Sequence, residues 1–250
     1  MTAEEFSYIL NELKPYTKYI YYHLMGEPLT HPELPLFLNI AEKNGFKSVI
    51  TTNGTLLSQR KEELLSQNIH KLSISVHSFE DGSEESFRSY INNIASVAEE
   101  FSKKGTIVVL RFWNNGYDDD KKASALSLIK ERLCGEWEDN SKGIRVHEKL
   151  YIEWGDRFDW PDIDAPVQGE EFFCYGMRDH FGILCDGTVV PCCLDSDGII
   201  NLGNIFNQGI DEILNSERAR KIEEFFSCRK ASEELCKRCG YAQRFVRSGR

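Results

Sequence analysis

The sequence predicts an α/β chain: a parallel βα array, open or closed into a partial (β/α) barrel that would lack its first strand, followed by a small cysteine-rich C-terminal domain. Three observations predict it. Helical and strand patterns alternate from Thr2 to Ile152 in repeats of about 25–30 residues, the signature of parallel strands joined by crossover helices. The array opens on a helix, although a parallel βα array normally opens on a strand. Seven of the eight cysteines fall in the last 77 residues.

Thr2-Ala3-Glu4-Glu5 reads as a capping box, with Phe6, Ile9, Leu10 and Leu13 at helical spacing behind it and Pro15 limiting the helix. Tyr19 to Leu24, aromatic and β-branched, predicts a buried strand. Pro32 opens a helix that Asn44-Gly45 closes. Strands follow at 47–52, 72–77 and 106–113. Helices follow at 56–67, 84–103 and 121–133. A further strand, the fifth, is expected at 145–152. These boundaries place a barrel domain at 1–154, an Asp- and Pro-bearing linker at 155–171 and a cysteine-bearing domain at 172–250. Within the last, Asp186-Gly187 marks a hairpin turn, and 210–226 reads as one amphipathic helix.

Composition bounds the function. The 250 residues are 41% hydrophobic and 12% aromatic, which excludes a disordered or fibrous chain. The net charge of −10 disfavours general nucleic-acid binding. No apolar run approaches the ~18 residues of a membrane span. The acidic start shows no leader, so a reducing, cytoplasmic setting is expected, in which clustered cysteines read as metal or iron–sulfur ligands before disulfides.

Several motifs fall where the strands should end, the active side of a βα array. Gly26-Glu27-Pro28 follows the first strand; a glycine lets a ligand approach the backbone, and a carboxylate accepts hydrogen bonds from an ammonium. Taken alone it is an ordinary turn, and so is Thr51-Thr52-Asn53-Gly54. Ser73, Ser75 and His77 share one face of their strand, polar where a doubly buried strand would be aliphatic. Arg111 lies inside an apolar strand and calls for an anionic partner, a ligand carboxylate slightly ahead of a structural ion pair. In the tail, Cys236-Lys237-Arg238-Cys239 is a CxxC, with Cys174 and Cys192-Cys193 as distant thiols. Two ligands from a CxxC and two remote ones suit tetrahedral zinc or a [4Fe–4S] cluster, and spacing alone permits both.

Together these residues resemble the radical SAM superfamily, in the subgroup with a SPASM- or twitch-type C-terminal extension. The likeness runs through Met25-Gly26-Glu27-Pro28-Leu29-Thr30-His31-Pro32, Thr52-Asn53-Gly54-Thr55-Leu56-Leu57, Asp186 to Asp195, Leu202 to Ile205 and the CxxC. Met25 stands where the family usually has another glycine. The resemblance implies that Gly26, Glu27 and Pro28 contact the amino group of S-adenosylmethionine, with Asn53, Ser75 and Arg111 lining the cofactor cavity. It implies an auxiliary [4Fe–4S] cluster on Cys174, Cys192, Cys236 and Cys239, the G-x4-C spacing from Gly187 selecting Cys192 over Cys193. The expected activity is that of an oxidoreductase whose 5′-deoxyadenosyl radical abstracts hydrogen from a peptide or small-molecule substrate, with flavodoxin or ferredoxin as electron donor. The alternative is a catalytically incomplete iron–sulfur or zinc binding module. The family's CxxxCxxC, which holds a second [4Fe–4S] cluster, is absent from these residues. With the helical start, this predicts that about 20–40 residues, one βα repeat, precede Met1, and that the chain alone does not cleave S-adenosylmethionine. No catalytic residue is assigned by the resemblance.

Overall fold

The computed structural model describes residues 1–79, 82–117 and 119–245, and the chain divides into two compact units. One is Tyr16–Arg157. The other joins Met1–Pro15 to Phe158–Arg250, so the first helix groups with the cysteine-bearing segment and not with the strands that follow it in sequence.

The chain opens with α1 (Ala3–Leu13), capped as its sequence predicts: the Thr2 hydroxyl accepts from the Glu5 amide and the Glu5 carboxylate accepts from the Thr2 amide. The first unit then runs through β1 (Tyr19–Tyr21), a 3-10 turn at Pro28–Thr30, α2 (Leu34–Lys43), β2 (Lys47–Thr52), α3 (Leu57–Leu65), β3 (Ile69–Ser75), α4 (Glu84–Lys104), β4 (Ile107–Asn115), α5 (Asp119–Arg132), β5 (Glu138–Asn140), β6 (Gly143–His147) and β7 (Leu150–Asp156). Gly105, at φ +105, ends α4 in the left-handed conformation that suits glycine. The seven strands form one sheet in the order β1-β2-β3-β4-β7-β6-β5. β1 to β4 and β7 are parallel, and β5-β6-β7 are antiparallel.

Register sorts the strands into two faces. Thr52, Ile74, Leu110 and Ile152 are aligned across β2, β3, β4 and β7, as are Ile50, Leu72, Val108 and Leu150. Ile50, Leu72, Ile74, Val108, Leu110, Leu150 and Ile152 join one core with Leu34 and Leu38 of α2, Leu57 and Leu64 of α3, Ile91 to Phe101 of α4, and Leu128 and Ile129 of α5. Each such side chain contributes about 1.5–3 kcal/mol by leaving water. All four helices therefore cover a single face of the sheet, as in a barrel and unlike a doubly wound sheet, which is covered on both. The other face carries Thr51, Ser73, Val109 and Tyr151 in one row and Ser75, Arg111 and Glu153 in the next.

Three expectations are corrected. The first strand is short, and Tyr19 and Tyr21 are 42% and 58% exposed, because β1 is an edge strand with a single neighbour. Residues 145–152 hold no single strand: β6 turns at Lys149 (φ +64) into β7. Residues 210–226 are two helices, broken where the Ser216 hydroxyl caps a new one.

The second unit, after α1, contains β8 (Gly182–Ile183), β9 (Thr188–Val190), β10 (Gly203–Asn204), α6 (Ile210–Leu214), α7 (Glu217–Ser227) and α8 (Glu234–Lys237). The Asp186-Gly187 turn joins β8 to β9 as predicted, and β10 pairs on the far side of β9. A side chain at Gly187 (φ +87) would meet the Phe206 ring at 2.4 Å, so this turn needs glycine for both conformation and space. α1 joins the unit through the Tyr8–Phe206 ring contact and the Glu12 carboxylate, which accepts from the amide that opens α6.

Candidate functional site

Gly26 (φ +90) and Glu27 enter the 3-10 turn that follows β1. The Glu27 carboxylate accepts from the Leu29 amide at 3.0 Å, the Thr52 hydroxyl at 2.8 Å and the Asn53 amide at 2.7 Å. It is therefore a clamp: it caps its own turn and ties the loop after β1 to the loop after β2. The Tyr90 hydroxyl of α4 donates to the Asn53 carbonyl at 2.6 Å, and the Thr52 hydroxyl accepts from the Gly54 amide. Burial raises the Tyr90 phenol, and the Glu27 charge raises it further. From behind, Arg60 of α3 donates to the carbonyls of Leu29, His31 and Pro32. Thr52, Tyr90 and Arg60 were not singled out from sequence. Only Thr52 carried a signal there, as part of the Thr-Thr-Asn-Gly turn; Arg60 and Tyr90 act from helices far along the chain.

Ser75, the last residue of β3, and Arg111, midway along β4, lie on the face of the sheet that carries no helix among the described residues, and Asn53 follows the end of β2. Ser75 and Arg111 are register partners, and Glu153 is the next residue in the row. The Arg111 guanidinium stacks on the Trp113 ring at 3.6 Å, a cation–π contact two residues along its own strand. His77 sits in a 3-10 turn beyond β3, within 3.1 Å of the Arg111 carbonyl. His23, after β1, is pushed down to about 4, first by burial and then by the Arg111 charge; His77 is lowered by the same two causes, with its bond to the Arg111 carbonyl acting in the opposite direction. Both imidazoles are thus neutral near pH 7, and both feel the Arg111 charge. Glu153, the register partner of Arg111, and His23, which feels its charge, were passed over by sequence reading.

The thiols assemble in the second unit. Cys174 lies before β8, Cys192 just after β9, and Cys236 and Cys239 in and after α8. Every one of the six pairings among these four is close enough for charge on one sulfur to raise the other. Cys193 reaches Cys174, Cys192 and Cys239. Burial is the largest influence on each of the four, pushing Cys174 up to about 11 and raising Cys192, Cys236 and Cys239. Backbone amides act in the opposite direction: Gly176 donates to Cys174 Sγ at 3.3 Å, Leu194 bonds Cys192, and Tyr241 and Ala242 bond Cys239. Buried thiols ringed by amide donors stay neutral when alone and become thiolates on a metal, where such hydrogen bonds set the potential. Among the described residues, no three His, Cys, Asp or Glu side chains close around a single ion. Cys134, Cys185 and Cys228 are exposed.

Comparison with known proteins gives this arrangement its class. Residues 1–120 match the Radical SAM superfamily, and residues 174–240 match SPASM, described as an iron-sulfur cluster-binding domain. The chain thus carries a radical SAM domain over residues 1–120 and a SPASM domain over residues 174–240. Its fold is similar to that of BtrN, solved with AdoMet and 2-DOIA: 19% identity, 96% of this chain and 80% of that one, TM-score 0.57. It is also similar to anSMEcpe with bound AdoMet (14%, 100% and 79%, TM-score 0.60). A third likeness is to Streptococcus suis SuiB bound to S-adenosylmethionine (13%, 96% and 65%, TM-score 0.57). No curated protein matches by sequence.

These two domains imply S-adenosylmethionine, a [4Fe–4S] cluster and an auxiliary iron–sulfur cluster as cofactors. The thiol quartet fits the auxiliary cluster in number and in the amide donors to Cys174, Cys192 and Cys239. The 250 residues contain no CxxxCxxC, so nothing in them fits the cluster that stands beside the cofactor. No helix among the described residues is long and apolar enough to cross a membrane.

Proposed function

We propose that this chain is the cofactor-cradling and auxiliary-cluster portion of a radical SAM oxidoreductase that acts on a peptide or small-molecule substrate. Cys174, Cys192, Cys236 and Cys239 hold the auxiliary [4Fe–4S] cluster. What supports this reading is the SPASM match over residues 174–240, together with the electrostatic influence of these four thiols on one another. When bound, the cluster supplies one-electron chemistry; the protein supplies amide donors, burial and fixed thiol positions.

In the strand unit, Gly26, Glu27 and Pro28 form the cradle for the amino group of S-adenosylmethionine, with Asn53, Ser75 and Arg111 along the polar face. The Glu27 carboxylate already serves three protein donors, so it acts by holding the loop, while the open conformation at Gly26 leaves the backbone accessible to the ligand. Arg111 offers a cation already oriented by Trp113 to a ligand carboxylate. The absence of CxxxCxxC favours a second reading of these 250 residues, a binding module without sulfonium cleavage.

Anaerobic reconstitution with iron and sulfide tests the auxiliary site. About four irons per chain are expected, lost in the Cys236→Ala/Cys239→Ala variant. Tightly bound colourless zinc with no iron would assign the quartet to a structural metal instead.

A further inference from the structure

Residues 158–169 form a loop of the C-terminal unit whose backbone is tied down along its length. At its start, Phe158 meets the Tyr241 ring at 5.0 Å. Gly240 packs on Asp159 so closely that a β-carbon there would lie 2.7 Å from the Asp159 carbonyl oxygen. In the middle, Asp162 closes a turn: its carbonyl accepts from the Ala165 amide and its carboxylate from the Asp164 amide. The Ala165 carbonyl accepts from Arg238 Nε at 2.8 Å. At the end, the Gln168 and Gly169 amides donate to the Lys237 carbonyl. The anchor throughout is the stretch 237–241, which contains Cys239 and follows Cys236.

Held in this way, the loop leaves its apolar side chains in water. Trp160, Ile163 and Val167 are 43%, 41% and 49% exposed. Twelve large hydrophobic residues are exposed among the described residues, and three of them fall within these eight positions, a concentration that singly scattered surface residues do not show. Carboxylates are interleaved with them: Asp159, Asp162 and Asp164 are all exposed. None of the three joins an ion pair among the described residues. The cations of the anchoring stretch are engaged with other acids, Lys237 with Glu170 and Glu234, and Arg238 with Glu234. Arg244 stands over the Phe158 and Tyr241 rings. The loop therefore keeps its acidic charge as well as its apolar surface.

A small ligand is normally enclosed in a concave pocket that removes most of its surface from water. Side chains standing nearly half in water along a loop do not enclose; they offer a track on which another chain can lie. Because the backbone is already fixed, little ordering cost is added on binding. We propose that residues 159–167 dock a peptide substrate through a recognition segment in which Lys or Arg alternates with apolar residues. The apolar residues cover Trp160, Ile163 and Val167, and the cations meet the three aspartates. The inference rests on the reading of the chain as acting on a peptide or small-molecule substrate, and it selects the peptide.

The test uses the full 250-residue chain, reconstituted anaerobically and its iron counted, with three fluorescein-labelled ten-residue probes: alternating Lys and Leu, Lys and Ser, and Glu and Leu. Binding is read by fluorescence anisotropy at low and high salt. The Lys–Leu probe should bind at least about tenfold tighter than either of the others, because it alone satisfies both charge and apolar surface. Asp164→Lys should weaken it about tenfold at low salt, and the loss should shrink at high salt. Trp160→Ala should weaken it about tenfold at both. Glu223→Lys, the same charge change at an exposed position of α7 in the same unit, should stay within about twofold of the parent. Circular dichroism and iron content should be unchanged in all three variants. Equal binding of the Lys–Leu and Glu–Leu probes, equal losses in Asp164→Lys and Glu223→Lys, or a Trp160→Ala variant that binds like the parent would overturn the docking loop. Self-association of the chain that is abolished by Trp160→Ala would assign the loop to a second copy and overturn it too. A chain that takes up no iron would sink the cluster reading, while the anisotropy would still decide whether this loop binds a basic, apolar peptide.

Discussion

Glu27 has both carboxylate oxygens engaged, by three donors from two loops, and this explains more than a direct ligand contact would. Removing it leaves the Asn53 amide and Thr52 hydroxyl without their acceptor in a half-buried place. Glu27→Ala should cost about 2–3 kcal/mol in urea unfolding, and Glu27→Gln, which keeps an acceptor oxygen, clearly less. Gly54 sits beside this clamp at φ +81, and a β-carbon there would lie 2.9 Å from Ile94 Cδ1 and 3.1 Å from Ile74 Cγ2. Gly54→Ala should destabilise by about 1–3 kcal/mol, read by the same unfolding curve. His23 gives a pH signature. Its folded value, about 4, lies below its ordinary 6.5, so the unfolded chain binds more protons between those two values. Stability therefore falls as pH drops from about 6.5 toward 4, and His77, also lowered, adds in the same direction. Thermal unfolding across this window should show the decline, and His23→Asn should flatten it.

At the scale of elements, the sheet succeeds because its two faces are chemically distinct. The pattern of Leu72, Ile74, Val108 and Leu110 against Ser73, Ser75 and Arg111 was readable directly, because period-two alternation is local. The capping box of α1, the Asn44-Gly45 stop and the Asp186-Gly187 turn were readable for the same reason. Elements that depend on distant partners were not. β5 is polar throughout and exists by pairing with β6; the break between α6 and α7 is decided by one serine cap. β6 and β7 looked like one strand because both are aliphatic and the turn between them uses Lys149 at positive φ, where glycine or asparagine would have announced it. Gly143 is the hairpin's tight point. A β-carbon there would lie 2.0 Å from the Ile152 carbonyl oxygen, so Gly143→Ala should separate β6 from β7, seen as lost amide protection at Ile144 and Ile152.

Across the whole chain, the residues assigned from sequence fall into two sets, each inside one compact unit: Gly26, Glu27, Pro28, Asn53, Ser75 and Arg111 in one, and the four cysteines in the other. The thiol spacing was visible in sequence but permitted zinc and iron alike. Folding adds burial, amide donors and mutual approach, and the SPASM match adds iron. The polar row Ser75-Arg111-Glu153 was half visible: serine and arginine stood out against apolar strands, whereas Glu153 lies in a segment whose strand boundaries only pairing reveals.

The central claim is that Cys174, Cys192, Cys236 and Cys239 form one iron–sulfur site, and the tandem Cys192-Cys193 offers its sharpest test. Iron and acid-labile sulfide would be counted after anaerobic reconstitution of the parent, Cys192→Ala and Cys193→Ala. About four irons in the parent and in Cys193→Ala, with the cluster lost in Cys192→Ala, is the result predicted. A cluster that survives Cys192→Ala and disappears in Cys193→Ala, or a chain that holds only zinc, would contradict it.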